Sequence, residues 1–196
     1  MRNLVHVIVG ISLASCLTIP LSTAAQDVGK KSCGASSGGA LPASRNGPVE
    51  AFLAKRTGEY VTRTKFLNHP SEPEMIGTAR ITTIIGGKFI REETFTEAYG
   101  AHSEVHLYGY DHIRSEYQAV WMDSTSQRIQ MMTGTSSNEG MTVIYSGWTG
   151  IGCIGLSDVV IRIDQLDDDH IVVTMMTRAS DGKESAFQET SYTRKT

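Results

Sequence analysis

The stretch EYVTRTKF, at residues 59–66, decides the fold class. Its side chains alternate between two faces, as those of a half-buried β-strand do. One face carries Tyr60, Thr62, Thr64 and Phe66, and the other carries Val61, Arg63 and Lys65. The stretch VVIRID, at residues 159–164, repeats the alternation, with apolar residues opposite Arg162 and Asp164. The sequence therefore predicts an antiparallel sheet with one face in water.

Similar short stretches follow one another from Gly58 onward, at the spacing of about 8–12 residues that is typical of a barrel or sandwich. Turn-forming residues separate them, as at Gly86-Gly87 and Ser180-Asp181-Gly182. We predict strands at residues 59–67, 76–85, 88–98, 102–110, 114–123, 127–134, 140–147, 157–165, 169–177 and 183–193. Sequential strands with tight turns favour an all-β, up-and-down antiparallel barrel of about ten strands, because closure removes exposed sheet edges.

A short N-terminal helix is predicted ahead of the strands. Pro48 suits a first helical position, and the helix would run to about Lys55 with Val49, Phe52 and Leu53 on one face. Residues 26–46 are rich in Gly, Ser and Ala and are predicted to be a flexible linker. The barrel domain is therefore expected to span residues 47–196.

Residues 1–25 have the pattern of a signal peptide. Arg2 precedes an apolar stretch, and small residues lead up to Ala25, where we predict cleavage. We expect a periplasmic or secreted protein with no membrane span in its mature chain. The alternative is a lipoprotein anchored at Cys16, because Leu13-Ala14-Ser15-Cys16 has the form of a lipoprotein cleavage box.

Charge and cysteine content exclude some classes and leave others open. The chain has 18 Lys+Arg and 21 Asp+Glu, a formal net charge of −3, and no basic stripe, so a nucleic-acid partner is not expected. Cleavage after Ala25 would leave Cys33 and Cys153, which are a possible disulfide in an oxidising compartment. Cys33 lies in the Gly/Ser-rich stretch, so a free thiol on a flexible tail is the other possibility.

Several segments together resemble a known family. They are GEY at 58–60, IIGGKFI at 84–90, GYD at 109–111, WMDS at 121–124 and YTR at 192–194. The chain resembles, over about residues 50–196, the bacterial family catalogued as domain of unknown function 1579. Tyr60 stands where members usually carry Trp, and Lys88 where Arg is common. The resemblance implies a lipocalin-like barrel and no particular activity.

A glycine-rich segment matches the dinucleotide-binding fingerprint in its letters only. Residues 150–155 read GIGCIG, but the chain continues into the β-branched residues 159–163 instead of the helix that would receive a pyrophosphate. We interpret the segment as a loop between two strands. No cofactor is predicted.

His102, Glu104 and His106 alternate on one strand face. At about 3.3 Å per residue, the two histidines lie about 13 Å apart, too far to share one ion. We interpret these residues as a solvated strand face and predict no metal site.

Aromatic residues at alternating positions are the remaining candidates for function. Tyr117, Ala119 and Trp121 share one face of a strand, and Phe89 and Arg91 share a face of another. If both faces point inward, the barrel would bind a small apolar or amphipathic molecule. The predicted ligand-binding residues are Phe89, Arg91, Tyr110, Tyr117, Ala119 and Trp121. A hydrolase or isomerase, with catalytic residues that the sequence does not identify, and a filled barrel with a structural or interaction role are the alternatives.

Overall fold

The computed structural model describes residues 48–97, 100–126, 128–137, 141–151 and 155–196. These residues form one helix and ten strands. The elements are α1 (Pro48–Lys55), β1 (Gly58–Phe66), β2 (Met75–Ile84), β3 (Phe89–Thr96), β4 (His102–Asp111), β5 (Glu116–Asp123), β6 (Gln130–Ser137), β7 (Thr142–Ile151), β8 (Gly155–Gln165), β9 (His170–Arg178) and β10 (Glu184–Arg194). The predicted leader, the linker and both cysteines of the possible disulfide lie outside the described residues.

The strands form a closed antiparallel barrel in which each strand pairs with its neighbours in the sequence. Strands β1 and β10 close the ring, with a register that runs from Tyr60 opposite Arg194 to Phe66 opposite Gln188. Tight hairpins make this order possible; Gly86 and Gly87, for example, turn β2 into β3 with φ values of 66° and 81°. The predicted fold class, a ten-stranded up-and-down barrel, is confirmed.

The barrel interior holds one core cluster contributed by nearly every strand. Its members include Tyr60, Ile81, Ile90, Tyr145, Val159 and Ile171, each less than 2% exposed. Strand β1 buries Tyr60 and Thr62 inward and exposes Arg63 and Lys65, as the alternation in EYVTRTKF predicts. The same period of two brings alternate residues of the other strands into the interior, with a register shift in β10 between Ala186 and Gln188.

Helix α1 lies where β1 begins and β10 ends, and it packs against β3 and β4. Leu53 of the helix is 1% exposed and belongs to the core cluster. Arg194 holds the end of the helix, because its guanidinium donates hydrogen bonds to the carbonyl oxygens of Lys55 and Thr57. Within the described residues, no helix combines the length and the apolar character needed to cross a membrane.

Strand β3 faces the other way from the prediction. Phe89, at 38% exposure, lies on the outer surface, and Arg91 forms an exposed ion pair of 2.6 Å with Glu93. The inward residues of β3 include Ile90 and Glu92, which are 0% and 1% exposed. The register with β2 and β4, which places Ile90 opposite Tyr108, determines this orientation.

Candidate functional site

An inner cavity of about 50 Å³ lies within the barrel. Most of its lining is apolar, and a smaller part is polar. Its walls are formed by Glu104, His106, Tyr108, Ala119, Val120, Trp121, Met132, Tyr145, Ile161, Val173, Met175, Gln188, Thr190 and Tyr192. A single water needs only about 10–15 Å³ of such space, so this part of the interior is not a filled core.

A second space of about 280 Å³, which we call the vestibule, adjoins the inner cavity toward the end of the barrel opposite α1. The two share Glu104, Gln188, Thr190 and Tyr192 in their walls. Threonine hydroxyls are frequent in the vestibule lining, at Thr62, Thr64, Thr94, Thr96, Thr125 and Thr190. The side chain of His102 in the same wall is 28% exposed, so the vestibule reaches solvent.

A buried group of ionisable side chains forms the polar wall of the inner cavity. His106 lies between two carboxylates, with Nδ1 3.8 Å from Glu92 Oε2 and Nε2 3.2 Å from Glu104 Oε2. Glu104 is also held by His102 Nε2 at 2.9 Å and by Thr94 Oγ1 at 3.2 Å. Tyr192 Oη donates a 2.7 Å hydrogen bond to Glu92 Oε1. Strands β3, β4 and β10 therefore meet through one charged network.

Burial and neighbouring charges shift the pKa values of these groups in opposite directions. Burial alone would lower the pKa of His106, but its contacts with Glu104 and Glu92 raise that pKa to about 9. Burial alone would raise the pKa of Glu92, but His106, then Arg56 and Tyr192, lower it to about 2. The pKa of Glu104 is likewise lowered, despite burial, by His106 and His102. At neutral pH the network holds an imidazolium between two carboxylates.

Arg56, directly after α1, adds a second buried cation. It is 1% exposed, and its guanidinium lies over the ring of Tyr108 at 5.3 Å from the centroid. Its Nε and Nη1 have no hydrogen-bond partner among the described residues. The charge of Arg56 helps to keep Glu92 ionised. Two buried cations thus balance the two carboxylates of the network.

Three hydrogen-bonding groups, on residues that line the inner cavity, are buried without a hydrogen-bond partner within the described part of the chain. They are Trp121 Nε1, Tyr145 Oη and His106 Nε2. The His106 Nε2 contact with Glu104 is close enough for an ion pair but not aligned as a hydrogen bond. Burial raises the pKa of Tyr145 well above its usual range, so its hydroxyl keeps its proton. All three are therefore donors at neutral pH.

The predicted ligand-binding residues fall into three places. Ala119 and Trp121 line the inner cavity. Tyr117 and Tyr110 pack edge to face, with centroids 5.0 Å apart, and neither lines either space. Phe89 lines a groove on the outer surface, and Arg91 pairs with Glu93 there.

The interpretation of His102, Glu104 and His106 as a solvated strand face is wrong. They point into the barrel, and His106 is only 9% exposed. The alternation was recognised, but the inward side of β4 is set by its pairing with β3 and β5, which the sequence does not show. Glu92 and Arg56 were not predicted to be buried, because charged residues are rarely buried without partners.

The other motifs take no part in this site. Gly155 begins strand β8, so the glycine-rich segment leads into a strand and not into the helix that a pyrophosphate would need. His112 pairs with Glu50 of α1 at 2.6 Å, and His170 pairs with Asp167 in a turn at 2.8 Å. Among the described residues, no group of three or more His, Cys, Asp or Glu side chains is placed to hold a metal ion.

Comparisons with known proteins agree with this architecture. The chain matches the crystal structure of Rv2717c from M. tuberculosis with a TM-score of 0.53 and 17% sequence identity. The match covers 76% of this chain and 99% of that one, and at this identity it shows the fold alone. No curated protein sequence matches the chain. A family model with the description "Protein of unknown function (DUF1579)" matches residues 46–194, and the chain therefore belongs to the DUF1579 family, as the resemblance implied.

Proposed function

We propose that the barrel binds a small, partly apolar molecule that extends from the vestibule into the inner cavity, and recognises it by an acceptor oxygen, such as a carbonyl. The observation that carries this proposal is the pair of partnerless donors, Trp121 Nε1 and Tyr145 Oη, on two residues that line the cavity. A buried donor without an acceptor costs about 1–3 kcal/mol, and a ligand oxygen would remove part of that cost.

The remaining lining fits the apolar part of such a ligand. Ala119, Met132, Ile161, Val173 and Met175 surround the cavity with aliphatic groups. The Thr-rich vestibule suits a polar extension that reaches toward solvent. This division, mostly apolar with a few placed polar groups, is typical of small-molecule sites. We also propose export by the predicted signal peptide, which would place this ligand outside the cytoplasm.

Acetophenone and ethylbenzene form a matched pair of probes, since they differ at the carbonyl oxygen. The chain contains two tryptophans, so in a Trp148→Phe background the fluorescence reports on Trp121. Trp148 is 66% exposed and does not line the inner cavity, which makes that change mild. We expect acetophenone to bind about tenfold more tightly than ethylbenzene, as one satisfied donor would give.

Blocking the cavity provides the second arm of the test. Ala119→Phe places a ring in the cavity and should abolish binding of both probes. The control Met131→Phe changes the outer face of the adjacent strand β6, where Met131 is 74% exposed, and should leave binding intact. Equal affinity for the two probes, or unchanged binding in Ala119→Phe, would contradict the proposal; no binding at all would leave the barrel a structural or interaction module.

A further inference from the structure

We propose that the inner cavity also catalyses proton transfer at the carbon next to the carbonyl of its ligand, with Glu104 as the base. This inference rests on the proposed function, because it requires a carbonyl compound bound at Trp121 Nε1 and Tyr145 Oη. The reaction class is enolisation, which includes isomerisation of an unsaturated ketone. It needs no oxidant, reductant or cofactor.

The position of Glu104 favours this role. Its carboxylate lines both the inner cavity and the vestibule, so it stands beside a ligand that spans the two. His102 Nε2 at 2.9 Å, Thr94 Oγ1 at 3.2 Å and His106 Nε2 at 3.2 Å fix its orientation. A fixed carboxylate beside a bound carbon acid is the arrangement that general base catalysis requires.

The donors supply the other half of the chemistry. When Glu104 removes the proton, the C–H electron pair forms a carbon–carbon double bond and the carbonyl π pair moves onto oxygen. The resulting enolate oxygen would accept hydrogen bonds from Trp121 Nε1 and Tyr145 Oη, and the positive charge of His106, another residue of the cavity lining, would stabilise it further. Fixed donors in a dry site stabilise such an oxyanion more than water does. His106 and His102 lower the pKa of Glu104, which makes its carboxylate a weaker base. Stabilisation of the enolate offsets this weakness.

The return of a proton to carbon completes the reaction. The protonated Glu104 carboxyl returns a proton to the same carbon, which produces exchange once a solvent deuteron has replaced the original proton, or to a conjugated carbon, which produces isomerisation. His102 links Glu104 to the solvent-exposed side, with Ser124 Oγ 3.5 Å from its Nδ1. This chain of contacts provides a route by which a proton on Glu104 exchanges with solvent.

Hydrogen–deuterium exchange at the methyl group of acetophenone tests the proposal. In D₂O, loss of the methyl proton signal by NMR measures enolisation, and the fluorescence titration measures binding separately. We expect wild type to accelerate exchange above buffer, and Glu104→Gln to lower the rate about 100-fold while affinity changes less than about threefold. The matched control Glu93→Gln, an exposed carboxylate on β3, should keep the wild-type rate.

The outcomes separate the two proposals. Acetophenone that binds without accelerated exchange, or exchange that persists in Glu104→Gln, would overturn the catalytic proposal and leave the binding proposal standing. Acetophenone that does not bind would overturn the binding proposal and the catalytic one with it. If Glu104→Gln loses the native circular dichroism spectrum, Glu104→Asp takes its place, and its shorter side chain should lower the rate at least tenfold with binding retained.

Discussion

Tyr192 Oη donates a 2.7 Å hydrogen bond to Glu92 Oε1 across the barrel interior, joining residues that lie 100 positions apart in the chain. Glu92 is 1% exposed and balances the charges of His106 and Arg56. We predict that Glu92→Gln destabilises the protein by about 3 kcal/mol, because it leaves buried cations without their counter-charge. Urea unfolding measures this change.

The neighbouring carboxylate is the control for Glu92. Glu93 lies on the outer face of β3, where it pairs with Arg91, and Glu93→Gln should change stability by less than about 0.5 kcal/mol. Equal unfolding midpoints for the two variants would show that the charge on Glu92 contributes little to the fold.

Stability should depend on pH through His106 and Glu92. The pKa of His106 is raised from 6.5 to about 9 in the folded state, so its contribution is complete below pH 6.5 and is lost as pH rises toward 9. The pKa of Glu92 is lowered from 4.5 to about 2, so its contribution is complete above pH 4.5 and is lost as pH falls toward 2. We predict the highest stability between these limits, measured by urea unfolding across pH.

One variant isolates the alkaline side of that profile. His106→Gln should remove most of the loss between pH 6.5 and 9, which we expect to be about 3 kcal/mol in wild type. His69→Gln, at an exposed loop position, should retain it. If the free energy of unfolding falls equally in both variants between pH 6.5 and 9, a group other than His106 causes the loss.

Arg194 is expected to stabilise the fold by connecting the end of α1 to β10. It donates to the carbonyl oxygens of Lys55, Thr57 and Asp168, and it lies over the Tyr60 ring at 4.9 Å. We predict that Arg194→Gln costs about 2 kcal/mol by leaving these carbonyls unsatisfied, whereas Lys195→Gln is nearly neutral. Thermal unfolding compares them; equal melting temperatures would show that the fold does not depend on the hydrogen bonds of Arg194.

Gly134 on β6 makes room for the cavity wall. A Cβ at this position would lie 2.5 Å from Ile144 O and 2.9 Å from Tyr145 Cδ1. Gly134→Ala should therefore cost about 1–3 kcal/mol and shift Tyr145, weakening acetophenone binding as well. Ser136→Ala, exposed on the same strand, is the control. Wild-type stability and binding in Gly134→Ala would mean that β6 and β7 move apart without cost.

The fold could be predicted from the sequence because its signals are local. Alternation within 59–66 identified the inward face of β1, and turn residues such as Gly86-Gly87 separated the strands. Both signals act over a few residues, so a single sequence contains them. The short helix from Pro48 to Lys55 was recognisable for the same reason.

The site could be predicted only in part because its geometry depends on strand register. Arg91, Glu92 and Glu93 are consecutive charged residues, and nothing in their order shows that the middle one is buried. The aromatic residue Phe89 favoured the wrong inward face for β3. Ala119 and Trp121 were identified because β5 alternates clearly, whereas the partners of Glu92 lie on distant strands.

The closing seam between β1 and β10 has a consequence for biosynthesis. Tyr60 cannot meet its partner Arg194 until the ribosome has released nearly the whole barrel sequence. Until then β1 and β9 each present a free edge, and the buried carboxylate of Glu92 lacks the hydrogen bond that Tyr192 donates. A chain that begins to fold before this point would form an unclosed sheet with two unpaired edges, the kind of intermediate that holding chaperones protect.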